Sequence, residues 1–174
     1  MKKGFTLAEL MIVLLIMGVV ASLTIPTLLK NVSSNNNRIL FKSAYKLVET
    51  TVNDEISDIS LYPTGTFDST FCTNFFSNLN TIGTVNCAAS TLPTASTEGT
   101  PNATTSNGMR WYGFNTALAQ TAFAINDTTP LTVSVDIDGL KGKHTPNIDV
   151  FQINVFRTGK VNVTGTTETN YLSN

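Results

Sequence analysis

A long apolar run close to the N-terminus constrains this chain more than any other feature. Residues 5–29 contain one ionisable side chain, Glu9. As a helix rising about 1.5 Å per residue, the run would be about 37 Å long, enough to cross a hydrocarbon core of about 30 Å. We therefore predict a membrane-spanning helix. We also expect Glu9 to have a functional partner, because a carboxylate in such a helix is costly.

Other kinds of export signal fit the residues less well. A cleaved secretory signal peptide has a shorter apolar core, no acid in it and a small-residue cleavage site, for which Ala21 and Ser22 are poor candidates. A lipoprotein signal needs a cysteine at its cleavage point, whereas the first cysteine here is Cys72. A plain signal anchor explains the hydrophobicity but accounts for neither Gly4 nor Glu9.

The residues around the start of the run form a recognisable motif. Residues 3–10, Lys-Gly-Phe-Thr-Leu-Ala-Glu-Leu, resemble the N-terminal signal of the type IV pilin and pseudopilin family. The resemblance implies that a prepilin peptidase cleaves after Gly4 and methylates the new N-terminus at Phe5. It also implies that Glu9 sets the assembly register by pairing with the N-terminal amine of a neighbouring subunit. The chain would then be a structural subunit of a type IV pilus or a type II secretion pseudopilus.

The charges that precede the apolar run predict its orientation. Lys2 and Lys3 lie before the span, so the N-terminus should be cytoplasmic in a single-pass inner-membrane protein. The resemblance implies later incorporation into an extracytoplasmic filament. The expected divisions are a leader at 1–4, a transmembrane and filament-core helix at 5–29, and an extracytoplasmic domain at 38–174.

Pro26 and an asparagine-rich stretch interrupt the helical pattern. Proline lacks a backbone donor, so Pro26 predicts a kink. Residues 31–37, Asn-Val-Ser-Ser-Asn-Asn-Asn, are poor helix formers whose side chains compete for backbone hydrogen bonds. We predict a flexible linker or melted helix at residues 30–37. The resemblance implies that this segment stretches on assembly, and a simple membrane-to-domain linker is the alternative.

Beyond the linker, the pattern predicts an α+β fold. Apolar residues recur every three or four positions from 38 to about 59, as in an amphipathic helix. Strands are expected at 109–114, 122–125, 131–137, 149–156 and 160–163, and the last two should form a hairpin. A helix followed by antiparallel strands is an α+β order. It resembles the pilin fold, a long helix whose outer half lies on a small antiparallel sheet.

The segment between helix and sheet contains both cysteines. We predict a short helix at 73–82, bracketed by Cys72 and Cys87. An even cysteine count in an exported chain favours a disulfide between them. Closing a loop of about 15 residues contributes about 3 kcal/mol in the chain-entropy model. Residues 88–108 are rich in Ser, Thr, Asn and Pro and are expected to form a solvated loop.

Three carboxylates surround a glycine-rich segment late in the chain. Asp136, Asp138 and Asp149 offer hard oxygen ligands that suit Ca²⁺, although their spacing is not that of an EF-hand. Major pseudopilins have a calcium-binding loop late in the chain, but this sequence does not reproduce its ligand spacing. The alternative is a turn at Asp138-Gly139, with Asp136 and Asp149 hydrogen-bonded to loop amides. No other cofactor is predicted.

Enzymatic activity is not expected. The one histidine, His144, follows two lysines in a loop, is predicted to be exposed, and has no nucleophile arrangement around it. The sequence contains no phosphate-binding loop, so assembly energy should come from a separate ATPase acting with an inner-membrane platform. The partners implied by the resemblance are prepilin peptidase, copies of this chain and other pilins or pseudopilins.

A binding module is the alternative function, as a minor pilin acting as an adhesin or in DNA uptake. The net charge of −1 and charged fraction of 13% create no strong field, so nucleic acid is not an expected partner. DNA binding would need basic side chains beside stacking aromatic rings. The candidates are Lys141, Lys143, His144, Arg157 and Lys160 beside Trp111 and Tyr112, provided that the fold brings them together.

Overall fold

A long helix, α1 (Leu7–Ser57), dominates the first third of the chain. The structure is a computed structural model that describes residues 6–123, 127–139 and 144–173. The chain divides into an N-terminal unit, Met1–Asn36, and a C-terminal unit, Asn37–Asn174. Helix α1 contributes residues to both units.

The N-terminal unit presents apolar side chains on its surface. Leu7–Pro26 has a mean hydropathy of 2.4 and is long and apolar enough to cross a membrane. Leu14 and Leu15 are typical, with 67% and 70% of their surface exposed. The hydroxyl of Thr24 donates to the Val20 carbonyl, which satisfies a polar group within the apolar stretch.

The predicted flexible linker or melted helix at 30–37 differs from the structure, in which these residues are helical. Pro26 also lies inside α1. Serine and asparagine cost only a few tenths of a kcal/mol each relative to alanine in a helix, and propagation from existing turns needs no new nucleation. Poor propensity alone therefore does not end a helix that is continuous on both sides.

The C-terminal part of α1 forms one wall of the core. Phe41, Ala44, Val48 and Val52 are fully buried, which confirms the predicted amphipathic stripe. The ring of Phe41 lies 4.6 Å from that of Phe151 on the sheet. The stripe and the inner face of the sheet therefore share one apolar cluster.

Six antiparallel strands form one sheet in the order β1-β2-β3-β4-β5-β6, so each strand pairs with its neighbour in sequence. The longest pairing, between β4 and β5, aligns Leu131 with Val155 and Asp136 with Val150. The predicted hairpin between β5 and β6 is confirmed. The strands are β1 (Thr81–Ile82), β2 (Ala103–Thr105), β3 (Arg110–Tyr112), β4 (Leu131–Asp136), β5 (Val150–Val155) and β6 (Val161–Asn162).

Alternation along β3 and β4 separates two faces of the sheet. Trp111 and Val135 are register partners in the core cluster, whereas Tyr112 and Ser134 face the other side. The Tyr112 hydroxyl donates to the Glu98 carbonyl at 3.1 Å. Part of the predicted loop at 88–108 thus covers this second face. Its last residues also differ from the prediction, because they form β2.

The described part of the chain also contains three shorter helices: α2 (Phe71–Ser77), α3 (Thr116–Phe123) and α4 (Thr166–Ser173). The strand predicted at 122–125 is wrong where it is described, because residues 122 and 123 end α3; residues 124 and 125 lie outside the described residues. The helix predicted at 73–82 begins two residues earlier and ends at 77, and residues 81–82 form β1. Helix α4 was not predicted.

A disulfide joins α2 to the segment that follows β1. Cys72 and Cys87 are bonded, with their Cα atoms 5.8 Å apart, which confirms the predicted pairing. Cys72 is fully buried and belongs to the core cluster. The bond therefore anchors an irregular segment to the packed core.

Candidate functional site

The first site is the start of α1. The backbone N–H and the hydroxyl of Thr6 both donate to Glu9 Oε2 at 2.8 Å. The Glu9 N–H donates back to the Thr6 hydroxyl at 3.3 Å. This reciprocal pair is a capping box, in which two otherwise unpaired donors at a helix start are satisfied. Glu9 therefore has a partner within its own chain.

Sequence reasoning about Glu9 missed this local role. The signal was present, since Thr-x-x-Glu before an apolar run is the pattern of a capping box. A carboxylate at this point also faces the positive end of the helix dipole. Gly4 and Phe5, the predicted cleavage and methylation residues, lie outside the described residues.

The second site lies where β4 ends. Asp136 is fully buried, and its Oδ1 accepts a hydrogen bond from the Gly139 N–H at 3.1 Å. Gly139 has φ +69°, and a Cβ there would lie 2.4 Å from the Gly108 carbonyl oxygen. Only glycine fits this turn without strain. The predicted turn at Asp138-Gly139 is thus present, and it holds the carboxyl group of Asp136 in place.

The prediction that His144 is an exposed loop residue is wrong. Its side chain is buried, and Nδ1 lies 2.9 Å from Asp136 Oδ2. Although these atoms are close, neither makes a hydrogen bond. Ligand atoms of Asp136, Asp138 and His144 all lie within 4.8 Å of one another. The fold therefore adds an imidazole to two of the three predicted carboxylates.

Asp149 has a different role from its two predicted companions. Its Oδ1 accepts a hydrogen bond from the Thr145 N–H, and the Asp149 N–H donates to the Thr145 carbonyl. Asp149 is not among the three clustered residues. Asp136 and Asp149 thus accept hydrogen bonds from loop amides, as the alternative to a calcium site predicted. Asp149 fixes the backbone directly after His144.

The electrostatics of the cluster reflect its burial. Burial, together with a hydrogen bond with Asp138, raises the pKa of Asp136 to about 7, although the nearby His144 acts in the opposite direction. Two carboxyl groups in contact repel each other when both are ionised, so a proton or a cation between them is favoured.

The two aromatic residues of the alternative nucleic-acid surface are not exposed. Trp111 and Tyr112 are both fully buried, so neither ring is available for stacking on a base. The Trp111 N–H instead donates to the Thr105 hydroxyl at 3.1 Å. His144 is buried as well, and Lys141 and Lys143 lie outside the described residues.

The fold and the first site together define a class of protein. An apolar N-terminal helix followed by helices packed on a six-stranded antiparallel sheet is an α+β, pilin-like layout. Residues 1–25 match the family described as the prokaryotic N-terminal methylation motif. The chain therefore carries the prepilin signal of type IV pilins and pseudopilins. Neither the curated proteins nor the solved structures that were searched contain a match to this chain.

Proposed function

We propose that this protein is a structural subunit of a type IV pilus or type II secretion pseudopilus. The observation that carries the proposal is the methylation motif at 1–25 leading into a helix with exposed apolar side chains. Such a surface is stable only in lipid or against other apolar surfaces. The membrane before assembly and neighbouring subunits afterwards would supply these two environments.

Processing and topology follow from the same motif. Prepilin peptidase cleaves between Gly4 and Phe5 and methylates the Phe5 amine, which keeps its positive charge. The subunit waits in the inner membrane with its N-terminus in the cytoplasm, and an assembly platform with a separate ATPase extracts it. Residues 30–37 are the segment that melts on assembly, because their side chains offer the backbone alternative hydrogen bonds.

Glu9 sets the register between subunits through its charge. A carboxylate has about four lone-pair sites, so the hydrogen bonds from Thr6 leave capacity for a further donor. An amine about 4 Å away contributes about 4 kcal/mol at an effective dielectric of about 20. A neighbouring subunit in the correct register would place its methylated N-terminus at this carboxylate.

Glu9→Gln separates the charge from the capping box, because glutamine serves equally well at this position of the box. We expect the variant to be cleaved and inserted in the membrane but to yield at least about tenfold less sheared filament. Processing is followed by the mobility of the mature chain on a gel. Filament yield is followed by immunoblotting of the sheared fraction.

Thr6→Ala is the matched variant, since it removes the threonine hydroxyl from the box and keeps the charge of Glu9. We expect near-normal filament yield from Thr6→Ala. The reverse result, with filaments from Glu9→Gln and none from Thr6→Ala, would show that capping rather than charge pairing is the role of Glu9.

A further inference from the structure

We propose that Asp136, Asp138 and His144 bind a divalent transition-metal ion of the Zn²⁺ type. Their ligand atoms lie within 4.8 Å of one another, with Nδ1 of His144 and Oδ2 of Asp136 at 2.9 Å. Zn²⁺ binds nitrogen and carboxylate oxygen at about 2.0 to 2.2 Å, which places neighbouring ligand atoms of a tetrahedral site about 3.4 Å apart. Small side-chain movements would therefore bring the three side chains to the spacing of ligands of one small ion.

Two buried atoms at this site make no hydrogen bond, and a metal ion would satisfy both. Asp136 is fully buried and His144 is 4% exposed, yet Oδ2 of the first and Nδ1 of the second make no hydrogen bond. A buried polar atom without a partner costs about 1 to 3 kcal/mol. The structure brings these two atoms to 2.9 Å from each other without a hydrogen bond between them.

The chemistry of the donors selects the type of ion. Ca²⁺ takes six to eight oxygen ligands and has little affinity for imidazole nitrogen. Imidazole together with carboxylate suits Zn²⁺ and its neighbours in the first transition row. Asp149, the third oxygen donor expected of a calcium loop, is instead hydrogen-bonded to the Thr145 N–H. The structure thus favours a nitrogen-and-oxygen site over an all-oxygen one.

The bound ion would join the two sides of the β4–β5 connection. Asp136 ends β4 and Asp138 lies in the turn that follows, whereas His144 precedes the bridge that Pro146 makes with Val150 at the start of β5. Gly139 holds the first side of the site and Asp149 holds the second. The framework therefore exists before the ion arrives, and binding stabilises the folded state.

The test exploits the fact that the chain has one histidine and that both cysteines are in a disulfide. The full chain, without a histidine tag, is labelled with ¹⁵N-histidine, purified in detergent and treated with EDTA. One equivalent of Zn²⁺ should shift the imidazole Nδ1 resonance, and calorimetry should give a 1:1 stoichiometry. At 100 times the dissociation constant, Zn²⁺ should raise the melting temperature by about 5 to 10 °C. The same concentration of Ca²⁺ should do neither.

Variants distinguish this site from adventitious binding. Asp138→Asn and His144→Gln should each weaken Zn²⁺ binding by at least about tenfold. Asp138 is half-buried, so its variant should fold even if replacement of His144 disturbs the loop. Asp54→Asn, which changes an exposed carboxylate on α1 outside the site, is the control and should bind Zn²⁺ normally. An unchanged Nδ1 resonance, or equal Zn²⁺ affinity in wild type and Asp138→Asn, would overturn the proposal.

Discussion

The N-terminal and C-terminal units share helix α1 but differ in where their apolar side chains lie. In the N-terminal unit Leu15 is 70% exposed, whereas Phe41 in the C-terminal unit is fully buried. Burial of apolar surface is the main favourable term in folding. The C-terminal unit therefore obtains this term from its own core, whereas in the proposed filament subunit the N-terminal unit would obtain it from lipid or from other subunits. One helix thus serves two purposes that separate experiments can measure.

A matched pair of leucine substitutions should give the largest difference between the units. Leu131 lies on β4 and is 2% exposed. Its replacement by alanine should lower the free energy of unfolding by about 2 to 5 kcal/mol. Leu15→Ala should change it by less than about 0.5 kcal/mol, since this side chain is exposed. Trp111, the one tryptophan and fully buried, reports unfolding by fluorescence during urea titration of the full chain in detergent.

The comparison would fail if Leu15→Ala lowered the urea midpoint as much as Leu131→Ala did. That outcome would mean that the N-terminal unit contributes apolar contacts to the unfolding transition which Trp111 reports. Filament yield should show the opposite ranking at a temperature where both variants are folded, because Leu15 would face lipid or a neighbouring subunit.

Removal of the disulfide should have the next largest effect, and only in the C-terminal unit. Replacing Cys72 and Cys87 by serine frees a loop with a sequence separation of 15. We expect a loss of about 3 kcal/mol, because the unfolded chain regains the entropy that the crosslink removed. The helicity of the N-terminal unit, measured by hydrogen exchange, should stay unchanged. An unaltered urea midpoint in the double variant would mean that core packing alone orders this segment.

The elements with a clear period were predictable from the sequence, and those that depend on tertiary contacts were not. From Phe41 to Val52, buried apolar residues recur every three or four positions, which is the spacing of a helix. Along β4, apolar residues recur at every second position, which is the spacing of a strand. The four-residue apolar run at 122–125 has no readable period. In the structure Ala119, Ala122 and Phe123 are buried at helical spacing, so its described part belongs to a helix.

The two candidate sites show the same limit at the scale of side chains. Thr6 and Glu9 lie three residues apart, so their capping box was readable from a local pattern. The site at the end of β4 depends on the direction in which the His144 side chain points. The neighbouring lysines had indicated an exposed side chain. The hydrogen bonds between Asp149 and Thr145 set the backbone there, and no short-range pattern encodes that geometry.

Helix α1 also carries a buried glutamate whose environment contrasts with that of Glu9. Glu55 is 1% exposed, and its Oε1 accepts a hydrogen bond from Asn78 at 3.2 Å. Its Oε2 is buried without a hydrogen bond. Burial raises the pKa of Glu55 from 4.5 to about 7. Glu9 thus stabilises the start of its helix, whereas an ionised Glu55 opposes the folding of the C-terminal unit.

Glu55→Gln should therefore stabilise the protein above pH 7. Because the pKa of Glu55 is higher in the folded state, the wild type loses stability as the pH rises from about 4.5 to 7, by about 1.4 kcal/mol for each pH unit in that range. Glutamine avoids that loss but buries an amide group without a second partner, at a cost of about 1 kcal/mol. The net gain should be about 2 kcal/mol at pH 8 and should vanish near pH 5.

Glu49→Gln, on the more exposed side of α1, is the control and should change stability by less than about 0.5 kcal/mol at either pH. Equal stability of wild type and Glu55→Gln at pH 8 would mean that the Glu55 carboxylate is hydrated. Burial of a carboxylate would then not distinguish the C-terminal unit from the N-terminal unit.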